Sequence, residues 1–233
     1  MMKSTVLQYA KNFLNLFYPN LCAGCENSLM QGEEGICLEC MFKIPNTNFS
    51  QDENNPVAQI FWGRVKVKRA FALYYYTTGG IFQKIIHSLK YKNDTIVGIV
   101  LGKQLGHEIN KIPNLKIDVL VPVPLHVKKL KKRGYNQCDF IIKGIQEVLD
   151  IESNNSNLLR IKYSDSQTKR QKYERWENAM NSFIIRNAKL FENKHVLLID
   201  DIVTTGATLE ACATALLECN GCSVSIACLG KAD

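Results

Sequence analysis

The stretch VLLIDDIVTTGATLEA, residues 196–211, constrains the fold more than any other part of this 233-residue chain. Val196, Leu197, Leu198 and Ile199 are apolar without alternation, which fits a strand buried on both faces of a parallel sheet covered by helices. Asp200 and Asp201 stand where that strand is expected to end. Leu209, Ala213, Leu216 and Leu217 then recur at helical spacing, so Thr204-Thr205-Gly206-Ala207-Thr208 forms the bend between strand and helix. In an open parallel sheet such a bend lies at the carboxyl ends of the strands, where ligands bind.

The rest of the chain supplies partners for this unit. Residues 64–76 alternate as a strand and end in aromatic residues; residues 79–94 carry an amphipathic helix, and 96–109 continue as a second one. Residues 117–125 read as another buried strand, stopped by two prolines, and a third helix is expected over about 135–149. Residues 154–159 mark a loop, and the polar stretch 164–181 precedes a further strand at 181–186. Strands alternating with helices after residue 70 predict an α/β fold with a mainly parallel sheet flanked by helices. The expected organisation is an N-terminal helix and cysteine module over 1–45, a linker rich in Asn, Pro and acidic residues over 46–69, and the α/β domain over 70–233.

Composition narrows the class. A hydrophobic content of 46% excludes general disorder, and no apolar run is long enough to span a bilayer. Leu7, Ala10, Leu14 and Phe17 make one apolar helical stripe ended by Pro19, while Lys11, Asn12 and Asn15 interrupt any signal-peptide core. A short docking helix, no membrane insertion and a cytoplasmic location are the expectation. The formal charge of +7 favours anionic ligands, and KKLKKR at 128–133 concentrates five basic residues in six.

Cys22, Cys25, Cys37 and Cys40 form two Cys-x-x-Cys pairs separated by a short polar stretch. Four thiolates so spaced close a tetrahedron around a structural zinc ion and leave no open coordination position for catalysis. Gly24 and Gly35 suit the tight turns of such loops. Cys219 and Cys222 make a third pair across a helix end, with no second pair nearby. Cys138, Cys212 and Cys228 read as small buried residues.

The bend at 204–208 opens a helix, whose free backbone N–H groups and positive dipole end favour a phosphate. Gly206 permits close approach of the backbone, and Thr204, Thr205 and Thr208 add hydroxyl donors. Two carboxylates beside a phosphate make sense if they face sugar hydroxyls or a divalent metal on the same ligand. A phosphorylated ribose meets both requirements.

These residues carry a resemblance. VLLIDDIVTTGATL resembles the phosphoribosyl-pyrophosphate (PRPP) loop of type I phosphoribosyltransferases. VPVPLHVKKLKKRGYNQ at 121–137, QTKRQKYERWENAMNSF at 167–183 and the four-cysteine module ahead of them are similar to the ComF family, the competence-associated group that includes GntX-like proteins. The resemblance implies a type I phosphoribosyltransferase fold with a hood and a small zinc-ribbon-like module. It implies that Asp200 and Asp201 hold the ribose hydroxyls, as the catalytic pair, and that Thr204 to Thr208 wrap the 5′-phosphate. Lys90, in SLKY near the hood, with Pro124, Leu125, Lys131 and Arg133 would lie on the pyrophosphate side, where Lys131, Lys132 and Arg133 neutralise a diphosphate carried with Mg²⁺. Gln167, Arg170 and Arg175 fall in the long loop that closes over substrate; the family's leucine-like position there is taken by Lys172 or Tyr173.

Two functions fit at this level. One is a PRPP-binding ComF-type protein supporting DNA uptake in natural transformation, with single-stranded DNA and other competence proteins as partners. The mixture of cationic and aromatic residues in KVKRAFALYYY and KKLKKRGY suits strand binding, unless the aromatics are core. The other is an active phosphoribosyltransferase of nucleotide or amine metabolism with an unidentified acceptor and no DNA role. The zinc module serves either as a staple or as a protein docking site.

Overall fold

The computed structural model describes residues 19–161 and 182–232. Four strands form one sheet in the order β1 (Ala70–Tyr76), β6 (Ser223–Ala232), β5 (His195–Val203) and β2 (Val119–Pro122), and every neighbouring pair is parallel. Helices α3 (Ile81–Tyr91), α4 (Thr95–Asn110) and α6 (Gln137–Gln146) cover one face, and α2 (Pro56–Gln59) and α7 (Ala207–Leu217) the other. Along β5, Leu197 and Ile199 belong to the first apolar cluster, Val196 and Leu198 to the second. The unbroken apolar run is thus the sequence image of a strand with helices on both sides. β3 (Leu158–Arg160) and β4 (Phe183–Ile185) make a separate antiparallel pair, and the segment joining them, with Gln167, Arg170 and Arg175, lies outside the described residues.

Several elements differ from their sequence expectation. β1 begins only at Ala70, because Arg64 and Val65 still donate their N–H groups to the Phe61 carbonyl and the alternating Val65 and Val67 pack sideways on the second cluster. The basic run 127–133 is a helix, α5 (Val127–Arg133), capped by the His126 ring, which accepts from the Lys128 N–H at 3.1 Å, and ended by Gly134 in left-handed conformation. Part of the expected loop 154–159 is strand β3. β6, buried along most of its length, fills the sheet between β5 and β1.

Helices α4 and α6 meet without side chains between them. A Cβ on Gly102 would stand 2.1 Å from the Ile141 carbonyl oxygen, and one on Gly144 2.1 Å from that of Ile99, so both positions require glycine for the backbones to touch. This contact fixes α6, whose first residues enter the site below.

The cysteine module is joined to the sheet. Cys22, Ile36, Cys40 and Ile44 share the first apolar cluster with Phe71, Leu73 and the helices above them. The chain then runs along the free side of β1, where the Tyr75 N–H donates to the Pro45 carbonyl (2.9 Å) and the Thr47 N–H to that of Leu73 (3.0 Å), which covers a sheet edge. Residues 46–69, expected as a linker, are packed as well. The buried Asn55 caps α2 through the Val57 and Ala58 N–H groups and donates to the carbonyls of Phe49, Asp52 and Ala70, while Val57 and Phe61 are buried in the second cluster.

Candidate phosphoribosyl site and metal centre

Register builds the site. β2 pairs with β5 only as far as Pro122 opposite Ile199, with one more bond from the Val123 N–H to the Ile199 carbonyl (2.9 Å). β5 does not stop there, as the sequence suggested; it continues through Asp200 and Asp201 to Val203, paired on its other side with β6. The acidic pair therefore lies in a strand that has outrun one neighbour, at the carboxyl end of a parallel sheet.

Asp201 is buried and doubly held: Lys90 Nζ, at the end of α3, is 2.9 Å from Oδ1, and Gln137 Nε2, at the start of α6, donates to Oδ2 at 2.7 Å. Arg133 donates to Gln137 Oε1 and lies 5.5 Å over the Tyr91 ring. Burial works against the Lys90 ammonium, but the Asp201 carboxylate outweighs it and holds the lysine pKa above its ordinary value. Asp200 accepts from its neighbour's N–H (2.8 Å) and stands 3.7 Å from the buried Cys138 thiol. Burial, then the adjacent Asp201 charge, push its pKa up to about 7. Asp201 is fixed in place by two partners, while the carboxyl of Asp200 is raised toward neutral pH.

Cations converge on the same end. The Lys129 ammonium is lowered from its ordinary pKa by burial and then by Arg160, Arg133 and Lys90. Lys90, Lys129, Arg133 and Arg160, from α3, α5 and β3, bring four positive groups together, an arrangement suited to a multivalent anion. Lys90 and Arg133 of the sequence reading are in this group. Lys131 is exposed two residues from Lys129, on another side of α5, and Pro124 and Leu125 are half-buried in the turn before it. Sequence reasoning missed Lys129, although its i,i+4 spacing to Arg133 was there to read, and Arg160, for which no local signal exists.

Beyond Val203 the chain turns through Thr204 and Thr205, both exposed, into α7. Gly206 is the N-cap at φ 72° and no side chain caps the helix, so the threonines are not spent on capping its first N–H groups. The missing Cβ of Gly206 faces Ile60 and Phe61, at 2.6 and 3.0 Å, rather than open space. The glycine serves the left-handed turn and the packing of the loop's back; the ligand side is presented by Thr204, Thr205, Ala207 and Thr208.

The four sulfurs of Cys22, Cys25, Cys37 and Cys40 lie within 4.8 Å of one another, with Cys25 and Cys37 3.8 Å apart. Zinc–sulfur bonds of about 2.3 Å in a tetrahedron put sulfurs about 3.8 Å apart, so the set fits a structural zinc ion. Backbone N–H groups of Gly24 (3.4 Å) and Cys37 (3.3 Å) point at Cys22 Sγ; burial raises that thiol, but these donors and that of Cys25 outweigh it and bring it to about 7, as a thiolate ligand needs. Cys219 and Cys222 have no such company among the described residues.

The phosphoribosyl transferase domain family matches residues 149–232, which span β3 to β6 and include the acidic pair and the turn. Competence protein F of Haemophilus influenzae is 27% identical over 207 residues, 83% of this chain and 89% of its own. The DNA utilization protein YhgH of Escherichia coli K12 is 24% identical over 226 residues, 92% and 98% of the two chains. This is a ComF-like protein with a phosphoribosyl transferase domain. Competence protein ComFC of Bacillus subtilis is 31% identical over 143 residues, 61% of this chain and 56% of its own. Among solved structures, the glutamine PRPP amidotransferase of B. subtilis matches 62% of the chain and 30% of its own at 17% identity and a TM-score of 0.43. The chain thus joins a four-cysteine module to an α/β unit whose residues 149–232 match the phosphoribosyl transferase domain family.

Because Cys22 and Cys40 sit in the sheet's own apolar cluster, loss of a zinc ligand is felt beyond the module. The purified protein is expected to hold one zinc per chain, and Cys37→Ser to lose it together with several degrees of melting temperature. Elemental analysis and thermal melts check this; a metal-free chain that melts like the zinc-loaded one contradicts it.

Proposed function

We propose that this chain binds Mg²⁺-PRPP at the end of β5 and serves the handling of incoming DNA, a reading supported by relatives named competence protein F and DNA utilization protein YhgH. What carries the reading is the pairing of an uncapped helix N-terminus with a cluster of four cations on the two sides of one acidic pair. Thr204, Thr205, Ala207 and Thr208 suit the 5′-phosphate, Asp200 and Asp201 the ribose hydroxyls, and Lys90, Lys129, Arg133 and Arg160 the diphosphate. Mg²⁺ arrives with the diphosphate as part of the ligand, and oxygen donors such as the Asp200 carboxylate suit it.

The same arrangement suits phosphoribosyl transfer. As the bond from C1 to pyrophosphate breaks, positive charge grows on the ribose ring and negative charge on the leaving group, and preorganised carboxylates and cations match both. Lys90 and Gln137 hold the Asp201 carboxyl in place for that task. Nine free cysteines suit a reducing cytoplasm, and among the described residues no helix is long and apolar enough to cross a membrane.

Single-stranded DNA is the second partner of this proposal, at a surface centred on Trp62 that shares only residues 66–70 with the stretches singled out in the sequence. Tyr74 is buried and Tyr75 and Tyr76 half-buried, so the aromatics of 66–76 are largely core. Trp62, by contrast, is 59% exposed in an open groove of about 630 Å³ whose lining includes Lys66 and Lys68. A flat exposed ring in a groove that also carries lysines suits base stacking with phosphate contact.

Calorimetry tests the first part. Asp200→Asn with Asp201→Asn is expected to abolish Mg²⁺-PRPP binding while the fold is kept; unchanged affinity would place the ligand elsewhere. Asp200→Asn alone carries a pH signature. A carboxyl whose folded pKa is raised weakens the ligand-free protein progressively from about pH 4 to pH 7. The variant is therefore expected to melt higher than wild type at pH 8 and no higher at pH 4. For the DNA partner, oligonucleotide affinity is expected to fall steeply with salt and by about tenfold in Trp62→Ala. Salt-independent binding, or none, contradicts that part alone.

A further inference from the structure

Behind the phosphate-facing turn lies an arginine that neither the sequence motifs nor the site above uses. Arg64, in the segment that follows α2, reaches across to the turn by more than one hundred residues of chain. Its NH1 donates to two carbonyls at once, Ile60 and Thr205, each at 2.9 Å. Its NH2 is hydrogen-bonded and ion-paired to the carboxylate of Glu210, which lies in the first turn of α7 and whose side chain is 1% exposed. Beside it, Ile60 and Phe61 fill the space that a Cβ on Gly206 would need.

Two physical consequences follow. The Thr205 carbonyl is drawn toward the back of the turn, and since the peptide unit is planar, the N–H of Gly206 on the far side of the same bond is held in a fixed direction. A turn without a capping side chain has little else to set the orientation of its N–H groups. Glu210 is also a buried negative charge one helical turn from the position offered to a phosphate, where it would repel the ligand; the guanidinium beside it offsets that charge in a fixed, forked geometry.

We infer that Arg64 is the positioning residue of the phosphate turn: by bridging Ile60, Thr205 and Glu210 it holds the turn in its anion-accepting shape and screens the buried Glu210 from the ligand. The inference rests on the proposed PRPP reading and deepens it. It also assigns a role to residues 56–64, which act as the back wall of the ligand loop.

The test separates the two halves of the ligand. Ribose 5-phosphate probes the turn and inorganic pyrophosphate with Mg²⁺ probes the cation cluster, each titrated calorimetrically into the full-length zinc-loaded protein. Arg64→Met alone strands a buried carboxylate, so the main variant is Arg64→Met with Glu210→Gln, which removes both charges. It is expected to bind ribose 5-phosphate at least about tenfold more weakly, the scale of one charge-assisted hydrogen bond, and pyrophosphate within about twofold of wild type. Arg64→Lys keeps a cation beside Glu210 but cannot span three acceptors, and is expected to show the same split in a folded protein. Affinities unchanged for both ligands in Arg64→Lys, or reduced equally for both, would overturn the inference, the second by showing a general structural role. A wild-type protein that binds neither ligand would instead overturn the PRPP reading and this inference with it.

Discussion

Two adjacent carboxylates on one buried strand carry the cost of desolvation and of mutual repulsion, and much of this molecule is arranged around that difficulty. Asp201 receives a lysine from the end of α3 and a glutamine from the start of α6. Asp200 makes no ion pair among the described residues and is pushed up to about 7 by burial and by its neighbour, which outweigh the more distant charge of Lys90. The asymmetry is what a ligand site requires: one acid fixed, the other answering to what arrives. Bringing α6 close enough for Gln137 to reach Asp201 depends on α4 and α6 touching backbone to backbone at Gly102 and Gly144. The packing of two helices thus sets the electrostatics of a strand end.

The two apolar clusters divide the support of the site. The cluster holding α3, α4 and α6 includes two of the four clustered cysteines, so a zinc ion held by them would stiffen the layer that carries Lys90 and Gln137. The cluster on the other face includes Phe61 and α7, and carries the phosphate turn through Gly206 and Arg64. A small cysteine module and a segment that looks like a linker therefore support the candidate site from opposite faces of the sheet. Each places side chains in an apolar cluster of the α/β domain.

The strand and the turn were legible because their chemistry is local. An apolar run, two acids, three threonines and a glycine within thirteen residues leave few alternatives, and four cysteines in two pairs leave fewer. Arg64, Arg160 and Lys129 were not legible. Arg64 acts across the fold on a carbonyl and a buried glutamate, so nothing within its own neighbourhood marks it. Arg160 comes from a three-residue strand whose pairing is set by tertiary contact. The segment 46–69 read as a linker because its composition is polar, yet Asn55 spends that polarity on three carbonyls and two N–H groups inside the fold. Gly206 lies in the turn the sequence indicated, but the space beside its Cα is filled by Ile60 and Phe61, a packing role that only the fold reveals.

The most direct measurement of the central claim is amide hydrogen exchange with and without Mg²⁺-PRPP. If the uncapped start of α7 receives the 5′-phosphate, exchange slows at the backbone N–H groups of residues 204–208 and at the loop after β2, while the groove beside Trp62 is unchanged. Slowing confined to residues 62–70, with residues 204–208 exchanging as in the free protein, would contradict it.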